Sequence, residues 1–256
     1  MPEELLDVRR EGDVCVVGFR RPEKLNAIST AVEQALLVAL AGPDLRESRC
    51  VVFSGSERAF SAGADLVEER DESPGGIDAY YRDTGDVYER VAALPQPTFS
   101  AISGWCLGAG FELALATDFR IADGTAVFGL PEVALGIVPS SGGTYRLVRA
   151  LGPARAKELL LLRPRVDAAE AFRLGLVTET VAAGRALERA LELAAEVAAL
   201  PPLAASAAKQ AANAIAESGR EAGILVERLA YAALAQTEEA REAGRAFGRR
   251  GRGDSG

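Results

Sequence analysis

Short, mostly apolar segments recur along the chain and are separated by longer stretches with the pattern of helices. Four of these segments predict strands, at residues 14–19, 50–53, 98–102 and 119–122. Segments this rich in apolar side chains are typical of strands that a sheet buries on both faces. Their alternation with helices indicates an α/β fold.

Two local patterns predict where a helix and a loop lie in the first third of the chain. Thr30 and, three residues later, Glu33 match a capping box, which predicts a helix that Gly42-Pro43 ends. Residues 71–78 combine acidic side chains with Pro and Gly, which predicts a mobile surface loop. Such a loop is either a linker or a lid over a pocket.

The composition changes near residue 186 towards Ala, Leu and Glu. Residues 186–248 predict two or three packed helices with a break at Pro201-Pro202. We therefore interpret residues 1–185 as a core with the active site and residues 186–256 as a C-terminal helical region. Alanine-rich helix faces pack closely, so this region is either an interaction surface or a further core layer of the same subunit.

The overall composition argues against several classes of function. The chain has 256 residues and no histidine, which removes Ser-His and Cys-His nucleophile pairs and every imidazole metal ligand. Its net charge of −8 argues against binding to nucleic acid. No uninterrupted apolar run reaches the roughly 18 residues of a membrane span. We therefore expect no metal site, no nucleic-acid partner and no membrane partner.

The cysteines and the N-terminal residues both bear on location. Cys15 and Cys50 lie in predicted strands, Cys106 is far from both, and the number is odd, so buried free thiols are expected. Residues 1–10 mix acidic and basic side chains without a long apolar run, unlike a signal peptide or a typical transit peptide. Together these features favour a reducing, cytoplasmic location.

Three stretches of small residues are candidates for chemistry: residues 59–66, 103–116 and 128–139. In the first, small side chains let another group approach the backbone N–H groups, which favours an oxyanion site, although a plain tight turn also fits. The second is a glycine-rich turn that leads into a helix, whose first N–H groups favour negative charge. It contains neither a dinucleotide fingerprint nor a P-loop.

The last two of these stretches each hold a single charged residue, Glu112 and Glu132. A carboxylate among apolar neighbours is either paired or functional, although Glu112 could instead serve the dipole of its own helix. Glu132 follows Pro131 and could likewise be a helix-start residue. Since desolvation raises carboxyl pKa values towards the working range, the two glutamates could form an acid–base pair. Together with an oxyanion site, they indicate a hydrolase, a lyase or an isomerase.

Six motifs, in order along the chain, resemble the enoyl-CoA hydratase/isomerase (crotonase) family. They are Arg-Pro-x3-Asn-Ala (21–27), Phe-Ser-Ala-Gly-Ala-Asp-Leu (60–66), Gly-x2-Leu-Gly-Ala-Gly-x-Glu-Leu-Ala (104–114), Phe-Gly-x-Pro-Glu-x2-Leu-Gly-x2-Pro (128–139), Gly-Gly-Thr-x-Arg-Leu (142–147) and Ala-x-Glu-Ala-x3-Gly-Leu-Val (168–177). The resemblance covers about residues 14–247. It implies a crotonase-like spiral of repeated β-β-α units and a C-terminal helical region that forms homotrimers, often paired into hexamers.

The resemblance also implies a substrate and functional residues. The substrate is an acyl-CoA thioester, whose carbonyl oxygen would accept hydrogen bonds from the backbone N–H groups of Ala64 and Ala109. Glu112 would activate a water molecule and Glu132 would be the principal proton donor, within one coupled pair. Coenzyme A is part of the substrate, so no separate cofactor is expected. The coenzyme A-binding positions of the family are occupied here by Lys24, Leu25, Ala62, Asp65 and Leu66.

Several positions leave the substrate and the reaction open. Arg249 and Arg250 lie in a basic C-terminal cluster that either meets the coenzyme A phosphates or is a solvated tail. Ser140, Ser141 and Tyr145 differ from the residues usual in the family near the expected acyl pocket. The leading hypothesis is reversible syn hydration of a 2-enoyl-CoA to a 3-hydroxyacyl-CoA. The alternatives are an enoyl-CoA isomerase, a dehydratase of an unusual hydroxyacyl-CoA, or a non-catalytic acyl-CoA-binding protein.

Overall fold

The computed structural model of the chain describes residues 5–68, 73–162, 165–243 and 245. The strands are β1 (Leu6–Glu11), β2 (Val14–Phe19), β3 (Cys50–Ser54), β4 (Ala59–Ser61), β5 (Thr98–Ile102), β6 (Trp105–Leu107), β7 (Phe119–Asp123), β8 (Val127–Gly129), β9 (Val166–Asp167) and β10 (Glu179–Val181). The α-helices are α1 (Thr30–Ala41), α2 (Pro43–Arg46), α3 (Pro74–Asp83), α4 (Val87–Ala92), α5 (Ala109–Ala116), α6 (Gly143–Leu161), α7 (Ala168–Arg173), α8 (Ala186–Ala198), α9 (Pro202–Glu217) and α10 (Arg220–Leu234). Short 3-10 helices are formed by Pro22–Lys24 and Glu132–Leu135.

A six-stranded sheet in the order β1-β2-β3-β5-β7-β10 forms the centre of the fold. β1 and β2 form an antiparallel hairpin, and the strands from β2 to β10 pair in parallel. Every residue of β2, β3 and β5 is buried, as expected for a parallel sheet that is covered on both faces. The four apolar segments of the sequence are β2, β3, β5 and β7, so the predicted α/β fold is confirmed.

Three consecutive passes of the chain repeat one β-β-α pattern. In each pass, one strand joins the large sheet and the next joins a second sheet, in the order β4-β6-β8-β9. The passes are β3-β4 followed by α3 and α4, β5-β6 followed by α5, and β7-β8 followed by α6. Because β4, β6 and β8 pair in parallel, their carboxyl ends meet at one edge of the small sheet. The residues that follow these strands are therefore brought side by side.

Helix α1 has the predicted extent but a different cap. Ser29 is the N-cap, and its Oγ accepts a hydrogen bond from the Val32 N–H at 3.4 Å. Glu33 does not turn back to the helix start; the residue is 1% exposed, and its Oε1 accepts hydrogen bonds from the Tyr80 and Tyr88 hydroxyls. The capping box predicted for Thr30 and Glu33 is therefore wrong, whereas the helix end at Gly42 is confirmed.

The loop predicted for residues 71–78 is wrong from residue 74 onwards. Helix α3 begins at Pro74, and the Ser73 side chain caps it by accepting a hydrogen bond from the Gly76 N–H at 3.1 Å. A proline fits the first helical turn because its missing N–H would have no intrahelical partner there. Residues 71 and 72 lie outside the described part of the chain.

The three cysteines are buried free thiols, as the sequence predicts. Burial raises the pKa of Cys15 to about 11 and places the pKa of Cys106 well above its ordinary value. Both thiols are therefore protonated near neutral pH, and protonated thiols are poor nucleophiles.

The chain divides into two compact units, Met1–Glu196 and Val197–Gly256. Composition changes near the start of α8, whereas the boundary between the units falls near its end. The part of α8 in the first unit carries three buried alanines, Ala186, Ala190 and Ala194. In the second unit α9 and α10 pack against each other. Within the described residues, no single helix is long and apolar enough to cross a membrane; α8 and α9 meet that test only when joined across their break.

Candidate active site

The carboxyl ends of β4, β6 and β8 open into one cavity of about 190 Å³, which we call the site cavity. Residues 62–64 reach it from the turn after β4, and Gly108 and Ala109 from the turn after β6. Glu132 reaches it from the segment after β8, and Glu112 from the first turn of α5. All three stretches singled out in the sequence therefore line a single cavity.

Glu112 is held in this cavity by main-chain donors. Its side chain is 3% exposed, and its Oε1 accepts hydrogen bonds from the Ser141 N–H at 2.8 Å and the Gly143 N–H at 2.9 Å. Burial raises the pKa of Glu112, and the two hydrogen bonds partly offset this rise. The carboxylate is thus oriented by the loop before α6, not by the N-terminus of its own helix.

The backbone can approach Glu112 this closely only because residue 143 is a glycine. A Cβ at Gly143 would lie 2.6 Å from Glu112 Cγ and 2.7 Å from Glu112 Oε1. Contacts below 3.0 Å are essentially never seen for real Cβ atoms. The Gly-Gly pair of the sequence therefore positions the Glu112 carboxylate as well as the start of α6.

Glu132 has a different environment, at the start of the 3-10 helix that follows Pro131. A Cβ at Gly108 would lie 3.1 Å from Glu132 Oε1, so the Glu132 side chain packs against the turn after β6. Its Oε2 is buried and has no hydrogen-bond partner among the described residues. Desolvation, together with the nearby charge of Glu112, raises the pKa of Glu132 to about 7.

Two backbone N–H groups at the cavity wall remain available for a ligand. Among the described residues, neither the Ala64 N–H nor the Ala109 N–H donates a hydrogen bond to a protein acceptor. Ala109 is the first residue of α5, where the helix dipole adds partial positive charge. A Cβ at Gly63 would lie 3.5 Å from Gly108 Cα, so the turns that carry the two N–H groups are in contact. This arrangement can stabilise an oxyanion.

Comparison with known proteins assigns the family. Residues 9–253 match the model of the enoyl-CoA hydratase/isomerase family. The chain is 41% identical over 248 residues to a Rhizobium meliloti protein named "Probable enoyl-CoA hydratase", and the match covers 96% of each chain. The chain belongs to the enoyl-CoA hydratase/isomerase family.

Further relatives of this family support the fold and the enzyme class. The chain is 38% identical to the 2,3-dehydroadipyl-CoA hydratase of Escherichia coli, over 94% of each chain. Its structure matches the crystal structure of the enoyl-CoA hydratase from Bacillus anthracis with a TM-score of 0.89, 34% identity and 96% coverage of each chain. The crotonase-type fold is therefore confirmed, and the protein is an enzyme of the hydratase/isomerase type.

The structure brings together the five positions that match the coenzyme A-binding positions of this family. The Ala62 N–H donates a hydrogen bond to the Leu25 carbonyl oxygen at 2.9 Å. Asp65 accepts hydrogen bonds from Arg21 at 3.0 Å and Lys24 at 3.3 Å, and the bond from Arg21 is the main reason that its pKa is lowered. Asp65 therefore links the two loops. Lys24 and Leu66 remain accessible to a ligand, since the Lys24 side chain is 50% exposed and Leu66 is 75% exposed.

Asn26 stabilises the first of these loops. The sequence interpretation assigned it no role of its own. Leu25 and Asn26 both have left-handed backbones, with φ of 49° and 54°. The buried Asn26 side chain accepts a hydrogen bond from the Arg21 N–H at 3.0 Å and donates one to the Ala59 carbonyl oxygen at 2.8 Å. Its place in the Arg-Pro-x3-Asn-Ala motif was the available signal.

Three further residues of the site cavity, Glu33, Tyr80 and Tyr88, were not predicted to belong to it. Glu33 comes from α1, Tyr80 from α3 and Tyr88 from α4. The sequence did contain a signal for the burial of Glu33: it follows Val32 and precedes the apolar residues that continue the buried face of α1. The match to a capping box concealed it.

The remaining predicted features lie at the edge of the described chain. Arg241 and Arg245, the described members of the basic cluster, lie 3.7 Å and 3.8 Å from carboxylate oxygens of Glu238. Arg249 and Arg250 lie outside the described residues. A search of the described part of the chain finds no group of three or more Cys, Asp or Glu side chains that could hold a metal ion.

Proposed function

We propose that the protein catalyses the reversible syn addition of water to a 2-enoyl-CoA thioester, giving a 3-hydroxyacyl-CoA. The observation that carries this proposal is one cavity that contains two carboxylates with raised pKa values and two N–H groups without protein acceptors. Carboxylates move protons, and N–H groups stabilise the negative charge that forms on a thioester oxygen. Both are needed to hydrate an enoyl thioester.

In this proposal the thioester carbonyl oxygen lies between the Ala64 and Ala109 N–H groups. When water adds to the β-carbon, electron density moves through the α-carbon to this oxygen as an enolate develops. Preorganised donors stabilise that charge, and the loss of one such donor typically costs about 10²–10³-fold in rate. Because both donors are main-chain atoms, side-chain replacement does not remove them.

Glu112 acts as the base. Two N–H groups hold its Oε1, and hydrogen bonds to the ionised form favour that form. The carboxylate accepts a proton from water while the water oxygen bonds to the β-carbon. The fixed geometry matters, because general-base catalysis requires hydrogen-bond reach to the proton that is removed.

Glu132 acts as the acid. A pKa of about 7 leaves a large share of this side chain protonated near neutral pH. The proton passes to the α-carbon as the enolate collapses. One water has then been added, and the proton gained by Glu112 replaces the one lost by Glu132 through exchange with solvent. The reverse sequence dehydrates the product.

The test is the loss of the conjugated enoyl-thioester absorbance of crotonyl-CoA. We expect turnover by the wild-type protein and losses of about 10²–10⁴-fold in kcat for both Glu112→Gln and Glu132→Gln. Glu47→Gln is the matched control, because Glu47 is a surface carboxylate with a 68% exposed side chain. Full activity in Glu132→Gln would contradict the mechanism.

Product analysis separates hydration from the alternative reactions. A product that has gained the mass of one water supports a hydratase, whereas a shifted double bond at unchanged mass indicates an isomerase. Binding of the thioester without any turnover indicates a non-catalytic acyl-CoA-binding protein. The presence of both carboxylates in one cavity favours hydration.

We also propose that the second compact unit mediates the formation of a homotrimer or hexamer. Its helices leave large apolar side chains exposed in the single chain: Leu203, Ile215, Leu225, Leu229 and Tyr231. Light scattering at several concentrations would measure the assembly, and a monomer would contradict the proposal. The cytoplasmic location stays a prediction.

A further inference from the structure

One short segment at the start of α6 contacts Glu112 through its N–H groups and Arg146 through its carbonyl groups. It consists of Ser141, Gly142 and Gly143, and we call it the support segment. The N–H groups of Ser141 and Gly143 donate to Glu112 Oε1 at 2.8 Å and 2.9 Å. The Ser141 carbonyl oxygen accepts a hydrogen bond from Arg146 Nη1 at 2.9 Å, and the Gly142 carbonyl oxygen accepts one from the Arg146 N–H, also at 2.9 Å. Arg146 therefore holds both carbonyl groups that lie between the two donors.

The guanidinium of Arg146 packs directly against the backbone of this segment, and the contact requires a glycine at residue 142. Gly142 has a left-handed backbone with φ of 89°. A Cβ there would overlap Arg146 Nη1 and lie 2.9 Å from Arg146 Cζ. Contacts this short are essentially never seen for real Cβ atoms. A change in the Arg146 side chain therefore alters the surroundings of the support segment directly.

Arg146 is itself fixed in position. Its side chain is 11% exposed, and its Nη2 donates a hydrogen bond to Glu89 Oε1 at 2.5 Å. Glu89 lies on α4, and its side chain is 61% exposed. Because a guanidinium is planar and its donors have a fixed geometry, two acceptors on different nitrogens determine its orientation. The ion pair thus ties the support segment to α4.

We propose that Arg146 is a positioning residue of the active site, which keeps the two N–H donors of the support segment directed at Glu112, and that Glu89 anchors it. The described residues that line the site cavity do not include Arg146, so it acts through Glu112 and not on the substrate. The inference rests on the proposed function, because it treats Glu112 as the base of the hydration reaction. Such positioning matters, since a displacement of about 1 Å can cost about 10²-fold in rate.

The charge of Arg146 acts in the same direction as this positioning. Burial is the main reason that the pKa of Glu112 is raised, and the charge of Arg146 opposes this rise together with the two hydrogen bonds from the support segment. The titratable or charged groups that line the cavity with Glu112 or interact with it come from α1, α3, α4, the second 3-10 helix and α6: Glu33, Tyr80, Tyr88, Glu132 and Arg146. Removal of the Arg146 charge should therefore raise the pKa of Glu112 further.

The main test compares Arg146→Gln with Arg155→Gln, a matched control. Arg155 is a cation of the same helix, pairs with Glu158 and has a 54% exposed side chain. With crotonyl-CoA we expect kcat to fall by about 10²-fold in Arg146→Gln with little change in KM, because the residues that line the cavity are unchanged. Arg155→Gln should retain the wild-type kcat. Wild-type kcat in Arg146→Gln would overturn the inference, and so would an equal loss in the control variant.

The pH profile of kcat/KM separates positioning of the base from a purely structural role. As pH falls, protonation of Glu112 lowers kcat/KM, and in Arg146→Gln this decrease should begin at higher pH because the cation is missing. The loss relative to the wild type should therefore be larger at about pH 5 than at about pH 8. Arg146→Lys keeps the charge but lacks the planar fork, so it should restore the wild-type profile while part of the loss in kcat remains. An equal loss at every pH would indicate a purely structural role and overturn the inference.

Glu89→Ala provides a second test if Arg146→Gln does not fold, because the exposed Glu89 side chain contributes little to the core. Loss of this ion pair should lower kcat by about 2-fold to 5-fold, the range typical of exposed pairs, without changing KM. Glu47→Ala is the matched control, since Glu47 also forms an exposed ion pair, with Arg10. Thermal melts establish that each variant is folded. Wild-type kcat in Glu89→Ala would overturn the anchoring role.

Crystal structures of the wild type and Arg146→Gln separate this inference from the proposed function, because they need no turnover. In the variant we expect at least one of the two bonds from the support segment to Glu112 Oε1 to lengthen beyond about 3.2 Å, the upper end of ordinary N–H···O distances. A displaced segment in a protein that does not hydrate enoyl thioesters would support the positioning of Glu112 and reject the hydratase. Hydration with an undisplaced segment and wild-type kcat in Arg146→Gln would overturn the inference and leave the hydratase standing.

Discussion

Glu112 and Glu132 reach the same cavity from two very different kinds of backbone. Glu112 belongs to the buried helix α5, and two N–H groups from another part of the chain hold one of its oxygens. Glu132 begins a four-residue 3-10 helix, and its Oε2 is buried without a partner among the described residues. The comparison shows that two identical side chains have different environments in one cavity: burial raises the pKa of both, but main-chain hydrogen bonds oppose this rise for Glu112, whereas the charge of Glu112 adds to it for Glu132.

The largest expected effect comes from removing both groups at once. If the two glutamates act in one step, Glu112→Gln/Glu132→Gln should fall no more than about 10-fold below the worse single variant. If the two residues contributed independently, their losses in rate would multiply. Two losses of up to about 10⁴-fold would then combine to a loss of up to about 10⁸-fold. The measurement is kcat/KM for crotonyl-CoA in all four forms of the enzyme.

A smaller loss is expected when only the support of Glu112 is disturbed. Gly143→Ala places a Cβ 2.6 Å from Glu112 Cγ, so the carboxylate must move. Because a displacement of about 1 Å can cost about 10²-fold, we expect a loss of that size in kcat. Gly124→Ala is the control, since a Cβ there meets no atom within 4 Å. Equal activity in both variants would show that the position of Glu112 is not critical.

The pH profile of kcat/KM should fall by about 10-fold per pH unit on each side of its optimum. A different carboxylate should cause each of the two decreases. As pH rises through about 7, Glu132 loses the proton that it donates, so kcat/KM falls. As pH falls through the raised pKa of Glu112, the base becomes protonated and kcat/KM falls again. Residual activity in Glu132→Gln should lack the alkaline decrease. A decrease that persists in this variant would assign it to another group.

The smallest effect concerns stability. Folding raises the pKa of Glu132 from 4.5 to about 7. The contribution of Glu132 to the free energy of unfolding is therefore fully present below pH 4.5 and is lost as pH rises through about 7. Above that pH the wild type contains a partly buried charge. After a discount for its solvent exposure, Glu132→Gln should be more stable than the wild type by about 1–2 kcal/mol at pH 8. At pH 5 the two should melt together, and an equal difference at both values would contradict this account.

The four inner strands of the large sheet were predictable because their burial is reflected in local composition, whereas the partly buried edge strands β1 and β10 were not predicted. The segment 14–19 matches β2 at both ends, and the segment 98–102 matches β5 at both ends. Both are buried along their full length, so nearly every side chain is selected for the interior. A local pattern is sufficient to predict a strand when the whole strand lies in one environment.

The small sheet was not predictable in the same way. Strands β4, β6 and β8 have three residues each, and they pair with segments that are distant along the chain. Three residues give no periodicity to detect. The sequence therefore indicated three glycine-bearing stretches with separate candidate roles, whereas the parallel pairing that joins them into one cavity is a tertiary property.

Glu33 shows why part of the site could not be read from the sequence. Its spacing from Thr30 fits a local capping rule, but its partners Tyr80 and Tyr88 lie 47 and 55 residues away. No local pattern connects them. By contrast, Glu112 and Glu132 were recognisable because each is the only charged residue in an apolar stretch, which is a local contrast.

The hydrogen bonds that the main chain at Ser141 and Gly143 donates to Glu112 have a consequence for laboratory evolution. A library that varies the side chains around the site cavity changes its shape and polarity, while these two N–H donors remain in every member that keeps the fold. Selection can then explore new substrates without losing the orientation of Glu112. The vulnerable position is Gly143, where any added side chain would meet the carboxylate itself.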